Sequence, residues 1–341
     1  MDSDTFQAPE TGRALRAGLA SGVLGLVLVV LVTVAVGRSH IDIAALKAIA
    51  GRTRVSLMVL SLGVMSVAFL FLGMRWRTLF PPPNRPSGVG LSAILCAGLL
   101  LNSALPGPVG ELGSAWFAHK RYRVSLGTSL ASGIGARIIG MLVAATAAFI
   151  CFVWSSPPVP EAYRGGIEIT AMLVGCMGVG LIVVIMNPLW LARCSALTLG
   201  RFTRLSRVHQ TIIDVSQALS SLREQGAMAF ARCVAWSMLA HTTVLIGIFI
   251  AAWSLGAQPD PSGLLFTYAT TTAAVIVMFA LPGSQVGWDA IFLALLTTTA
   301  GLSMPDALAV AIVVRVQQLC IMGLGALALT WLARTNPETE E

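Results

Sequence analysis

The chain has 341 residues, 56% of them hydrophobic and 11% charged, with a mean hydropathy of +0.82. A water-soluble chain carries roughly a quarter charged residues, so the composition excludes an ordinary soluble enzyme and calls for hydrocarbon around the molecule as well as a core inside it. The net charge of +7 does not point to nucleic acid: the Lys and Arg residues lie mainly between apolar runs, and no basic stretch is interleaved with aromatics.

The predicted elements follow in chain order. A cytoplasmic segment, 1–16, carries Arg13 and Arg16 and leads into an apolar run over 17–36. Twenty residues make about 30 Å of helix, enough to cross a bilayer. A signal peptide has a shorter apolar core before its cleavage site, so the run reads as a retained first span. Further spans are predicted over 55–73, 126–153, 167–190, 228–252 and 307–332, giving six in all. An outer loop over 154–166 separates a first membrane repeat, 17–153, from a second, 167–332. Within the second, Leu205, Val208, Ile212, Val215, Leu219 and Leu222 form one helical stripe beside Arg201, Arg204 and Arg207. This predicts a basic amphipathic helix over 201–223 lying on the inner leaflet. The acidic tail, 333–341, reads as disordered.

Two apolar stretches break differently. Residues 89–105 run into Pro106-Gly107-Pro108, and 263–281 run into Pro282-Gly283; each is followed by a short second apolar piece, 113–118 or 290–300. Proline removes a backbone donor and glycine relaxes the chain, so a helix stops there. In lipid such irregular backbone survives only where protein or a water-filled cavity surrounds it. Both stretches therefore read as re-entrant helical hairpins. With the N-terminus inside, most loop cations, Arg75 and Arg77 among them, fall on the cytoplasmic side; the exceptions concentrate in the 38–54 loop. Both termini are then cytoplasmic.

The hairpins resemble each other. Ala104-Leu105-Pro106-Gly107 and Val109-Gly110-Glu111 match Ala280-Leu281-Pro282-Gly283 and Val286-Gly287-Trp288-Asp289. Ser125, Leu130, Ala131, Ile134 and Arg137 recur 178 residues later as Ser303, Leu308, Ala309, Ile312 and Arg315. Arg137 follows Glu111 by 26 residues, and Arg315 follows Asp289 by the same 26. The rarest residues thus stay in register. Each half holds two spans, a hairpin and a third span, and an odd number of spans inverts the second half. The fold class is an all-α polytopic membrane protein with an inverted internal repeat, an architecture shared by many transporters.

An arginine near the bilayer centre costs about 2.5–3.5 kcal/mol on insertion scales and needs a partner or a cavity. Two readings of Arg137 and Arg315 stand side by side. They form ion pairs with Glu111 and Asp289 that pin each hairpin, or they meet the phosphate of a lipid headgroup, whose geometry suits a guanidinium fork. A third reading gives the two acids to proton coupling. Asn102, just before the first break, is placed to satisfy the interrupted backbone. Six cysteines show no C-x-x-C pair and four histidines no H-E-x-x-H, so neither metal nor cofactor is expected.

Asn102-Ser-Ala-Leu-Pro106-Gly107-Pro-Val-Gly110-Glu111, with Arg137 on the next helix, resembles the pattern of the lysylphosphatidylglycerol synthase transmembrane, or flippase-like, family. Pro282-Gly283-Ser-Gln-Val-Gly-Trp288-Asp289 is similar to that family's proline-glycine motif ending in an aromatic and an acid. The resemblance covers about residues 15–333. It implies helices with paired re-entrant segments, as in the flippase region of the multiple peptide resistance factor, and movement of lipids or lipid-linked glycans between leaflets. The sequence departs from the pattern at Ser114, where members carry an arginine, at Ala136, where an acid is common, and at Val286, which interrupts the second glycine pattern. The chain stops nine residues after Leu332, without a soluble aminoacyl-transferase domain, so lipid lysylation by this chain alone is not expected.

The functional expectation is a transporter in the bacterial inner membrane that moves a lipid or polyprenyl-linked substrate, binds it through Arg137, Arg315, Glu111, Asp289 and Asn102, and is not an enzyme. The alternatives are a membrane-embedded transferase and a scaffold subunit beside lipid- or glycan-synthesis enzymes.

Overall fold

The computed structural model describes residues 43–82, 85–104, 109–155, 186–198, 223–278 and 284–335, with scattered positions between 161 and 220. The first predicted span, most of the span over 167–190, most of the amphipathic stretch over 201–223 and the four break residues Pro106, Gly107, Pro282 and Gly283 lie outside the described residues.

The described residues form helices and no strands. In chain order they are α1 (Ile43–Arg52), α2 (Val55–Thr78), α3 (Gly88–Ala104), α4 (Val109–Tyr122), α5 (Leu126–Ser155), α6 (Pro188–Thr198), α7 (Gly226–Ser254), α8 (Pro261–Met278), α9 (Ser284–Thr298) and α10 (Met304–Thr335). Four of them, α2, α5, α7 and α10, are long and apolar enough to cross a membrane. Even so, only 22–56% of their most apolar windows is buried inside the protein. The remaining apolar surface, including Val59, Phe149, Met238 and Leu324, faces outward. A helix that is apolar all round yet half uncovered needs a hydrocarbon solvent, so the chain is a multi-pass membrane protein. Trp154, 90% exposed at the end of α5, is the type of residue that settles at a membrane interface.

Four differences from the sequence reading have plain causes. The 38–54 loop contains α1, whose Ile49 is buried and whose Arg52 reaches Leu255 O and Asp306 Oδ1 at 2.9 and 2.5 Å. The second arms of the hairpins are full helices, because α4 and α9 continue through polar positions such as Glu111 and Lys120 that an apolar-run search stops at. The helix expected to end at residue 73 runs on to Thr78. The one over 307–332 begins earlier, at Met304.

α2 and α7 form the centre, packed against each other in opposite directions. The Arg54 amide donates to Ser254 O at 2.7 Å, and Ser61 Oγ to Gly247 O at 2.8 Å; Phe71 and Trp236 stack at 5.7 Å. Small residues permit the close approach: a Cβ at Gly247 would collide with Met65. On either side the packing is crossed. α3 lies against α10, where Gly325 accommodates Cys96, and α8 lies against α5, where Phe152 meets Phe266 at 6.0 Å. α3 pairs with α4, and α8 with α9, each across a break of a few residues. None of these four helices exceeds 18 residues, about 27 Å, which is short of the roughly 30 Å hydrocarbon layer.

Local details repeat at the spacing read from the sequence. Arg123 and Gly301, 178 apart, both have left-handed backbone, with φ of 51° and 69°. Ser125 then caps α5 through the Thr128 amide at 3.0 Å, and Ser303 caps α10 through the Asp306 amide at 3.3 Å.

Candidate functional site

Glu111 sits in the first turn of α4 and Asp289 in the second turn of α9, shortly after the breaks. Each meets an arginine about three turns into the following long helix. Glu111 pairs with Arg137, and both are partly exposed, with side chains 18% and 24% accessible. Asn102, at the end of α3, bridges the break: its Nδ2 donates to Glu111 Oε2 at 2.7 Å, and its Oδ1 accepts from the Gly110 amide at 2.6 Å. One side chain thus holds both the carboxylate and an amide that the start of α4 leaves without a helical partner.

In the second pair the acid is as accessible as Glu111, at 19%, but the arginine is enclosed. Arg315 is 5% exposed and donates from Nε and Nη2 to the same oxygen, Asp289 Oδ1, at 3.0 and 2.5 Å. Asp289 Oδ2 is buried without a hydrogen-bond partner. Trp288 lies over the guanidinium at 5.2 Å and stacks on Phe292 at 4.6 Å. The indole face adds cation–π attraction to the buried guanidinium.

A cavity of about 270 Å³ opens between the hairpins. Glu111, Arg137, Ser114 and Gly110 line one side; Trp288 and Tyr268 come from the other hairpin, His241 from α7, and Gln318 and Met322 from α10. Phe69, Leu72, Leu99 and Val244 supply its apolar wall. Glu111, Arg137 and Asn102 are therefore brought together at the cavity, whereas Asp289 and Arg315 are brought together behind Trp288.

Sequence reasoning passed over three residues here. Arg75 was placed among the cytoplasmic loop cations; the continuation of α2 carries it inward, where it is 9% exposed and lines the cavity. Its appearance beside Arg77 at the end of an apolar run mimics an ordinary positive flank, so no local signal separates the two. His241 donates or accepts through both ring nitrogens, Nε2 with Gly140 O at 2.9 Å and Nδ1 with Tyr268 Oη at 2.8 Å. A carbonyl can only accept, so Nε2 carries the proton, and Nδ1 of the neutral ring accepts the tyrosine O–H. This bond chain ties α5, α7 and α8 together around the cavity.

The Lysylphosphatidylglycerol synthase TM region family matches residues 19–326 of the chain, nearly its whole length. The chain belongs to that family. No curated protein and no solved structure matches it.

Proposed function

From this membership we propose that the chain is a flippase-like transporter of the bacterial inner membrane that moves a lipid or lipid-linked substrate between leaflets, without covalent chemistry. In this reading α3–α4 and α8–α9 are re-entrant hairpins from opposite faces, related as inverted repeats, and both termini are cytoplasmic. The observation that carries the proposal is the cavity between the hairpins, which has an ion pair, Glu111–Arg137, at its wall and an apolar lining on the other side. That combination suits a charged headgroup with a hydrocarbon tail. The short lengths of α3, α4, α8 and α9 support re-entry, and the repeated left-handed residue and serine cap support the repeat. Arginines that exchange partners between carboxylate and phosphate would let each hairpin loosen as substrate passes.

The test is a vesicle assay with full-length protein and a fluorescent headgroup-labelled lipid. Wild-type protein accelerates exchange between leaflets; Arg137→Ala and Arg315→Ala, checked for folding, abolish it. Undiminished exchange in both variants removes these arginines from the path.

A further inference from the structure

The cavity holds one charge that neither ion pair uses. Arg75 is buried, lines the cavity and leaves Nε without a hydrogen-bond partner, and no carboxylate pairs with it among the described residues. A buried cation without a counter-ion is strongly unfavourable, and an intramembrane arginine ordinarily faces a partner or a substrate path. The neighbouring groups are shaped around it and do not neutralise it. A Cβ at Gly140 would overlap Nη1 of Arg75, so the missing side chain makes room for the guanidinium. Tyr268 and His241 bond to each other and to Gly140 O. Arg137, close enough to repel Arg75, has its own charge met by Glu111. Two guanidinium groups and one carboxylate leave the cavity with a surplus positive charge.

We propose that Arg75 is the seat of a phosphate group, and that the substrate of this chain is an anionic, phosphate-bearing lipid and not one whose headgroup has been made cationic. The guanidinium fork matches two phosphate oxygens. A cavity of about 270 Å³ lies at the small end of ligand pockets, the size of a headgroup and not of a whole lipid, with Phe69, Leu99, Val244 and Met322 beside it to take the start of the acyl chains. A lysylated headgroup would set an ammonium against Arg75 and Arg137. The lipid identity rests on the transport reading above; the phosphate seat does not.

The experiment uses the full chain in detergent with three probes: short-chain phosphatidylglycerol, its lysylated form, and inorganic phosphate. Phosphatidylglycerol is expected to bind at least about tenfold tighter than the lysylated lipid and to raise the unfolding temperature. Arg75→Gln should lose about that tenfold. Without ligand it should melt at or above the wild-type temperature, because an unneutralised buried charge has gone; an arginine serving only to hold the fold would give the opposite shift. Arg75→Lys should keep part of the affinity. Gly140→Ala retains Arg75 but displaces its guanidinium, and should weaken binding as well, which preserves the test if Arg75→Gln does not fold. Equal binding by wild type and Arg75→Gln, or preference for the lysylated lipid, overturns the proposal. Competition by inorganic phosphate at the same concentration as the lipid overturns the lipid assignment and keeps the phosphate seat. Vesicle exchange that is independent of Arg75 sinks this inference alone, whereas Arg75-dependent binding with no exchange sinks the transport reading alone.

Discussion

The two hairpins carry the same charges at the same spacing and hold them in different surroundings. Around α4 the pair is half open: Glu111 and Arg137 border a cavity, and Asn102 steadies the carboxylate from across the break. Around α9 the arginine is shut in, with Arg315 beneath Trp288 and one oxygen of Asp289 unbonded. The packing differs in the same sense. α3 lies closely on α2, where a Cβ at Gly73 would collide with Ser92, whereas α8 has little contact with α7 and rests mainly on α5 and α9. Two copies of one motif thus hold their arginines in one open and one closed environment. Under the proposed transport function, unequal halves are what a single resting conformation requires.

Removing an arginine from each side tests that difference most severely. Arg315→Ala removes a buried guanidinium and leaves the partly buried Asp289, whose Oδ2 is already unbonded, without a counter-charge, and should destabilise the protein by about 3 kcal/mol. Arg137→Ala should cost about 1–2 kcal/mol, since Glu111 keeps its bond from Asn102 and borders the cavity. Thermal unfolding in detergent measures both, and equal losses would erase the distinction between open and closed.

Asn102→Ala comes next in size. It deprives both Glu111 Oε2 and the Gly110 amide of a partner and should cost about 1–2 kcal/mol. The second hairpin has Met278 at the matching position, two residues before Ala280 as Asn102 is before Ala104, and a methionine cannot make such a bridge. Hydrogen exchange should accordingly rise at the start of α4 in the variant while α9 is unaffected; exchange rising at both would show that the hairpins open as one.

The smallest effect sharpens the comparison at the other ends of the hairpins. Asp260 caps α8, accepting from Ser262 Oγ and the Gly263 amide at 2.6 and 2.7 Å, and these bonds hold its carboxyl below the usual range. α3 begins instead with Ser87, which the Gly90 amide reaches at a long 3.4 Å. A depressed carboxylate stabilises fully above its unfolded pKa, near 4, and the contribution disappears as pH falls through the lower folded value. Asp260→Ala should therefore cost about 1 kcal/mol at neutral pH and nothing in strong acid. Unfolding temperatures followed from neutral to acid pH should converge; a constant gap would mean that the carboxylate charge is not what caps α8.

Much of this was legible without coordinates. The apolar runs gave α2, α5, α7 and α10 within a few residues, and the proline-glycine breaks separated α3 from α4 and α8 from α9. The 26-residue spacing brought each acid to its arginine, because a short helix, a turn and three turns of the next helix return the chain to the same level. Arg75 was lost among the loop cations because an arginine at a helix end has the same sequence context whether its side chain turns toward water or inward.

What the sequence by itself determined was the set of helices, their need for hydrocarbon and the two local charge pairs, since those depend on apolar periodicity and on neighbours within one hairpin and its following helix. Only the tertiary structure decided that one pair borders a cavity while the other has its arginine enclosed, and that Arg75, His241 and Tyr268 converge there. Those three lie on α2, α7 and α8. Which faces of separate helices meet is set by long-range packing of small residues against large ones, and no spacing along the chain encodes it.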